Sequence, residues 1–382
     1  MSLRKTVTYP DLGTSPFPEP VQKDVFMPST LPLDSDNHFV VIGDAGTGEQ
    51  RQNKVAWQME KHFQKKPYAR VLDLGDNAYK DEGTKKGDSS PRCGDPRLFD
   101  ARIRKPYQNL FNEGIKFFPV LGNHDVKYGQ WREQLKYWNV PNYYNFKSGP
   151  PGSEVEFFAI DTTLLVPGAN SCHITDPVFT ESEGKKQLQW LETQLAESTA
   201  PMKVVYGHYP MFSLSNAKGQ TLTKDQEERA EVEHKMQALL TPLFEKYGVD
   251  LYLSGHEHHY EKPHKVIDED THKVSSVYYG ISGAAGNLDK EDEGAKEFDK
   301  GDEKLLRQCH FMSFDITPEG LQYQTISQEG SVIDAGLIPK KPPAVQSPSH
   351  TPQPPANLFV LPQTQQSTAV LPMALPGKVV NT

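Results

Sequence analysis

Short apolar runs recur along the chain: HFVVI at 38–42, VLDL at 71–74, FFPVL at 117–121, VEFFAI at 155–160, KVVY at 203–206 and LYL at 251–253. Runs of this length bounded by turn residues read as buried strands. Helical patterns separate several of them. Leu188, Leu191 and Leu195 fall at i, i+3 and i+7 and share one helix face. Met236, Leu239, Leu240, Leu243, Phe244 and Tyr247 follow the same rule, with Pro242 expected to kink or delay that helix. Beyond residue 270 the pattern turns to strands, VSSVYYGIS at 274–282, HFMSFDI at 310–316 and LQYQTI at 321–326. In the last two, Met312, Phe314 and Ile316, and Leu321 and Tyr323, alternate with polar neighbours. Strand–helix alternation followed by strand runs predicts an α/β fold of two sheets covered by helices. No solenoid-type repeat is evident.

The ends differ from this middle. Residues 1–36 are Pro-rich and aperiodic and read as an extended N-terminal arm; residues 37–330 form the expected folded domain, and 331–382 a Pro/Gln/Ser-rich tail expected to be disordered. The tail's PxxP spacing suggests a weak ligand for a Pro-binding module. Met1–Pro20 carries two early basic residues with no apolar stretch behind them and does not read as a secretory signal, and no apolar run approaches membrane-spanning length. The expectation is a cytoplasmic protein, or one exported without such a signal. A net charge of -9 argues against nucleic acid as a general partner. A small phosphate ester remains compatible, provided cations invert the local charge. Three cysteines, Cys93, Cys172 and Cys309, form neither a CxxC pair nor an even disulfide framework. Nothing points to an obligate oligomer, so the expectation is a monomer.

Chemistry enters in the residues directly after five of the apolar runs. HFVVI leads into Gly43-Asp44-Ala45-Gly46, and VLDL into Gly75-Asp76-Asn77-Ala78-Tyr79. FFPVL leads into Gly122-Asn123-His124-Asp125, KVVY into Gly207-His208, and LYL into Ser254-Gly255-His256-Glu257-His258. Strand ends on one edge of an open α/β sheet converge where ligands bind. Five such loops would gather Asp44, Asp76, Tyr79, Asn123, His208, His256 and His258. Taken singly, a Gly-Asp pair is a turn more often than a ligand; five in this order, each behind an apolar strand, point to a metal site. Oxygen and imidazole donors suit iron, manganese and zinc. His256 and His258, two apart on an extended loop, would point to opposite sides and so serve two adjacent cations, with one carboxylate bridging the pair.

The blocks GDAG, GDNAY, GNHD, GH and GHEH resemble the signature of the purple acid phosphatases, in the calcineurin-like metallophosphoesterase superfamily, and most of all its small, mammalian-type members. WNVPNYYNF at 138–146, FFAIDTTLL at 157–165, QLQWLETQL at 187–195, GHYPMFS at 207–213 and ISGAAGN at 281–287 add to the likeness, which spans roughly residues 37–330. The resemblance implies a four-layer αββα sandwich of two mixed sheets, with the metal site on loops after strand C-termini. It implies that Asp44, Asp76, Tyr79 and His258 hold Fe(III), and that Asp76 bridges to a second metal, Fe(II), Zn or Mn, held with Asn123, His208 and His256. Tyr79 would stabilise the ferric ion and give colour. Ser/Thr phosphatases and cyclic-nucleotide phosphodiesterases place a His where this chain has Gly46, which favours the purple type.

The implied reaction is hydrolysis of a phosphate monoester by in-line attack of a metal-bound hydroxide, with His124 bonding the phosphate or protonating the leaving oxygen. Alternatives are a metallophosphoesterase acting on phosphodiesters, nucleotides or phosphoproteins, and an adaptor working through its Pro-rich tail. Two departures stand out. The stretch Ser215-Asn216-Ala217-Lys218-Gly219 lacks the family's second outer-sphere His, which leaves protonation of the leaving group to His124 alone or to Asn216, Lys218, His234 or His264 as substitutes. Cys172 stands where the family has half a disulfide, with no cysteine at 210–245. The insert at 80–96 reads either as a substrate-side lid or as a solvated excursion.

Overall fold

The computed structural model describes residues 36–80, 93, 95–127, 131–167, 179–216, 224–267, 272–288 and 296–341. The arm before Asp36, Lys218, Cys172, most of the 80–96 insert and the tail beyond Lys341 lie outside these residues. In chain order the elements begin β1 (His38–Ile42), α1 (Gln50–Lys65), β2 (Arg70–Asp73), α2 (Pro96–Phe99), α3 (Gln108–Asn112), β3 (Lys116–Pro119), α4 (Asn123–Val126) and α5 (Trp131–Trp138). They continue with β4 (Tyr144–Ser148), β5 (Val155–Ala159), α6 (Thr162–Leu165), α7 (Glu181–Glu197), β6 (Met202–Tyr206), α8 (Lys224–Tyr247) and β7 (Leu251–Ser254). The chain then turns to strands: β8 (Tyr260–Ile267), β9 (Val274–Ser282), β10 (Phe298–Lys300), β11 (Glu303–Leu306), β12 (His310–Thr317), β13 (Gly320–Ser327) and β14 (Val332–Pro339).

One sheet has the order β14-β13-β12-β1-β2-β3 and the other β10-β11-β8-β9-β7-β6-β5-β4. Both are mixed. β1, β2 and β3 run parallel, as do β5, β6, β7 and β9, while β12 lies antiparallel to β1 and β4 to β5. The period of two within each apolar run explains the layering. Phe39 and Val41, Leu72, Phe118, Phe157, Val204, Tyr206, Leu251 and Leu253 meet in one core between the sheets. Rings lock that interface: Phe39 meets Phe157 edge-on at 5.0 Å, and Phe118 stacks on Phe146 at 4.2 Å. The alternate residues face outward. Val40, Ile42 and Val71 pack under Val55, Ala56 and Met59 of α1, and Phe158, Val205 and Tyr252 under Leu191 and Leu195 of α7 and Met236, Leu240 and Phe244 of α8. Strands covered on both faces must be apolar throughout, which is why they read as unbroken runs.

Three expectations need correction. The folded unit does not end at 330: β14 pairs along β13 from Gly320–Pro339 to Ile326–Val332, so ordered structure continues to Lys341. β14 carries little sequence signal because it is an edge strand whose Val332 and Leu337 face solvent, without a buried alternation. α8 starts at Lys224 and contains Pro242, so the proline does not delay the helix, which Met236, Leu240 and Phe244 hold to the second sheet on either side of it. The loop carrying His256 is not extended, since His256 has φ +70°.

Candidate metal centre

All five loops leave the C-terminal ends of their strands, β1, β2 and β3 in one sheet and β6 and β7 in the other, and backbone bonds stitch them together. Leu74 N donates to Ile42 O and Asp44 N to Gly75 O; Gly46 N reaches Asp76 O, and Tyr79 N returns to Gly46 O. Gly255 N donates to His208 O. Asp44, Asp76 and His256 leave their strands with φ of 54°, 55° and 70°. A left-handed residue with a Cβ costs roughly 1 kcal/mol or more and persists only where its surroundings over-determine it. Here His256 N is held by Asp44 Oδ2 at 2.8 Å.

The seven expected side chains fall into two groups. In the first, Tyr79 Oη lies 2.9 Å from Asp44 Oδ1 and 2.8 Å from Asp76 Oδ2, its one proton shared between them, with His258 Nε2 3.3 Å from the hydroxyl and 3.5 Å from Asp44 Oδ1. Ligand atoms of Asp44, Asp76 and His258 lie within 4.8 Å of one another. In the second, Asn123 Oδ1 lies 2.8 Å from His208 Nε2 and 3.0 Å from His256 Nδ1, and His208 Nε2 lies 3.6 Å from Asp76 Oδ1. Asp76 belongs to both groups, one oxygen to each. The two histidines of the GHEHH turn do diverge, but a left-handed turn separates them, not an extended pleat.

The donor set fits two cations. A cation bonded at about 2.0–2.2 Å to each ligand holds neighbouring donor atoms about 3–3.5 Å apart. The closest gaps within each group run from 2.8 to 3.6 Å, near that size. The surrounding shell fixes the ligands as a metal site requires. His208 turns its Nδ1 to Leu74 O at 2.8 Å, aiming Nε2 inward. Asn123 opens α4, and the buried Asp125 in the same turn accepts from Gly122 N, Asn77 N, Asn77 Nδ2 and Gln134 Nε2, tying the second loop to the third. Asn287, from the GAAGN stretch, brings Nδ2 to 3.4 Å from His258 Nε2. A Cβ at Gly122 would lie 2.2 Å from Asp76 Oδ1, so only glycine lets the loops close on the shared carboxylate. A Cβ at Gly46 would lie 2.1 Å from Asn77 O, so the first loop closes on the second only with glycine there.

Electrostatics follow from burial. Burial raises the Asp76 carboxyl, but the His208 and His124 imidazoles, the His124 amide and the Tyr79 hydroxyl hold it below the ordinary value. Burial and the Asp44 and Asp76 carboxylates drive the Tyr79 hydroxyl well up. Burial pushes His256 well below its usual value, leaving the neutral imidazole that ligates metals.

His124 stands at the edge of this cluster, partly exposed, its amide on Asp76 Oδ1 at 2.8 Å and its ring 4.8 Å from that of Tyr79. Its Nδ1 faces the buried thiol of Cys93 at 3.4 Å, so Nε2 is the ring nitrogen left for a substrate. The substitutes for a second histidine fare differently. Asn216 ends a single 3-10 turn, His234 is exposed on α8, and His264 is buried on β8 with Nδ1 on Lys262 O. None of the three has a hydrogen bond to the seven donors among the described residues. Cys93 and Cys309 are free and buried.

Known proteins resemble this chain in sequence and fold. The calcineurin-like phosphoesterase family profile matches residues 37–260. Tartrate-resistant acid phosphatase type 5 of Oryctolagus cuniculus is 26% identical over 338 residues, covering 79% of this chain and 91% of that protein. Purple acid phosphatase 17 of Arabidopsis thaliana is 28% identical over 287 residues, covering 68% and 71%. Among solved structures, GAP50, the anchor in the inner membrane complex of Plasmodium, superposes with a TM-score of 0.61 at 18% identity over 80% of this chain and 89% of that one. A purple acid phosphatase from yellow lupin (Lupinus luteus) seeds gives 0.54 at 14% identity, over 78% and 53%. The two structures share the fold of two mixed sheets flanked by helices. With the family profile covering more than half its length, and the profile's span taking in all five loops, this chain belongs to the calcineurin-like phosphoesterase family.

Proposed function

We propose that this protein is an acid phosphatase that hydrolyses phosphate monoesters at a pair of cations. Asp44, Asp76, Tyr79 and His258 would hold one, Fe(III) by the likeness to purple acid phosphatases; Asp76, Asn123, His208 and His256 would hold the other, Fe(II), Zn or Mn. Such a pair supplies Lewis-acid neutralisation of the phosphoryl oxygens and lowers the pKa of a water molecule. The chain's own residues do the rest. Asp76 keeps both donor groups in register. His124 offers Nε2 to a phosphate oxygen or to the leaving oxygen, its other nitrogen occupied by Cys93. The substrate in this reading is a small ester met by a monomer, with the Pro-rich tail at most a weak ligand for other proteins.

The observation that carries the reading is the division of Asp76: Oδ2 on Tyr79 at 2.8 Å and Oδ1 facing His208 at 3.6 Å. Relatives named as tartrate-resistant and purple acid phosphatases support the monoester assignment. Metal analysis with a visible spectrum on the purified protein tests it. Two metals per chain are expected, with a visible band that Tyr79→Phe abolishes, and a monoester chromogenic substrate cleaved faster than a diester. A colourless, iron-free protein that still cleaves esters would make it a Mn- or Zn-dependent relative, and preference for the diester would move the substrate class.

A further inference from the structure

Between the two histidines of the GHEHH turn stands Glu257, whose side chain is 4% exposed. Its amide donates to Gly255 O at 2.9 Å and its carbonyl accepts from His259 N at 2.7 Å, so it forms the centre of a tight turn. Its Oε2 accepts from Arg229 Nη1 at 2.8 Å. Arg229 belongs to the first turns of α8, just after the stretch that lacks a second histidine, and its side chain is 30% exposed. The neighbouring carboxylates are engaged otherwise. Glu261 accepts from His259 Nε2 at 2.8 Å, Ser213 Oγ at 2.8 Å and Leu214 N at 3.0 Å. Burial and the carboxylates of Glu257 and Glu261 push Glu233 up to about 9, so it is held as a neutral acid. The guanidinium meets Glu257 directly, at ion-pair distance.

We propose that Arg229 is a positioning residue for the histidine turn, its ion pair with Glu257 tying α8 to the backbone that presents His256 and His258. The proposal rests on the reading of those histidines as cation ligands. His256 occupies a left-handed conformation, which does not hold itself. A carboxylate buried next to it and stripped of its cation is costly, because breaking a buried pair leaves an uncompensated charge. Without Arg229, Glu257 turns toward water and takes the turn with it, and the imidazoles lose their aim. A misplacement of about 1 Å at a ligand costs about 10²-fold in rate.

The test uses the full chain stripped of metal, titrated with manganese by calorimetry and assayed on a monoester. In Arg229→Met, manganese affinity at the weaker position is expected to fall at least tenfold and kcat at least tenfold, with KM within threefold of wild type. Arg229→Lys, which keeps a charge in reach of Glu257, should recover most of both. Arg229→Met combined with Glu257→Gln should recover more affinity than the single Met variant, having removed the stranded charge. If Arg229→Met fails to fold, the Lys variant and the double variant decide, since a lysine as damaging as methionine overturns the positioning role. So does manganese uptake and kcat within twofold of wild type in Arg229→Met. Wild-type protein that takes up no manganese would instead overturn the ligand reading itself.

Discussion

Gly122 shows how tightly single positions constrain this site. Replacement by alanine puts a methyl group 2.2 Å from Asp76 Oδ1 and 2.4 Å from Asp76 N, both rigid. The carboxylate common to both donor groups must then move. Gly122→Ala is expected to lose about 10²-fold in kcat/KM, as a ligand shifted by about 1 Å would, and about 1–3 kcal/mol in stability, as overpacking usually costs. Steady-state kinetics alongside urea unfolding separates the two, and wild-type kinetics would show that the loops relax around the methyl. Residue types at the site are readable because metal chemistry selects from few side chains. No sequence pattern singles out Cys93, Arg229, Glu257 or Asn287 for the contacts they make. A thiol, an ion pair and an amide occur everywhere in proteins, and only their neighbours reveal what these ones touch.

At the scale of elements, the runs at 38–42, 71–74, 117–121, 155–160, 203–206 and 251–253 all became strands, because each is buried on two faces and carries the same signal twice. β4, β8, β10, β11 and β14 are not legible in the same way. They hold polar or exposed residues such as Asn145, Lys265, Asp299, Lys304 and Val332, and are strands because a neighbour pairs with them. Element junctions depend on similar partnerships. Asp161 caps α6 by accepting from Thr163 N at 2.9 Å and also accepts from Asn142 Nδ2 at 2.9 Å, while Gln187 of α7 bonds both its amide and its carbonyl. Asp161→Ala should cost about 2–4 kcal/mol, a lost cap plus a stranded buried amide, read as a lower urea midpoint. An unchanged midpoint would mean that water takes over both bonds.

Two predictions belong to the whole molecule. β14 closes its sheet, and Leu321, Tyr323 and Ile338 of β13 and β14 reach the central core. A chain ending at Gly330 is therefore expected to unfold at lower temperature than one ending at Lys341, or to aggregate; equal melting would restore the shorter domain. The His310 contribution to stability should fall in acid. Burial depresses His310, bonded to Ser282 Oγ at 3.0 Å, from 6.5 to about 4. Folded and unfolded states are both neutral there above pH 6.5. As pH drops below 6.5 the unfolded chain takes the proton first, so stability declines until about pH 4, by roughly 3 kcal/mol for this group alone. Because buried acids such as Glu233 work in the opposite sense over this range, the contribution is read as a difference: from pH 7 to 4 the urea midpoint of wild type should lose ground against that of His310→Gln. A slope unaltered in the variant would assign the acid sensitivity to other groups.

The sequence by itself determined which side chains could ligate metal, that each follows a buried strand, and that helices cover two sheets. These are local properties, carried by a few consecutive residues and by periods of two and 3.6. Tertiary structure decided the rest. It set the strand order, the pairing of the seven donors into two groups and the role of Asp76 as their common member. It also set the left-handed turns at Asp44, Asp76 and His256 and the union of α8 with the histidine turn. Asp44 and His256 are 212 residues apart and meet because two sheets stack face to face. No periodicity along a chain records where its sheets come to rest, since that depends on core packing summed over the whole molecule.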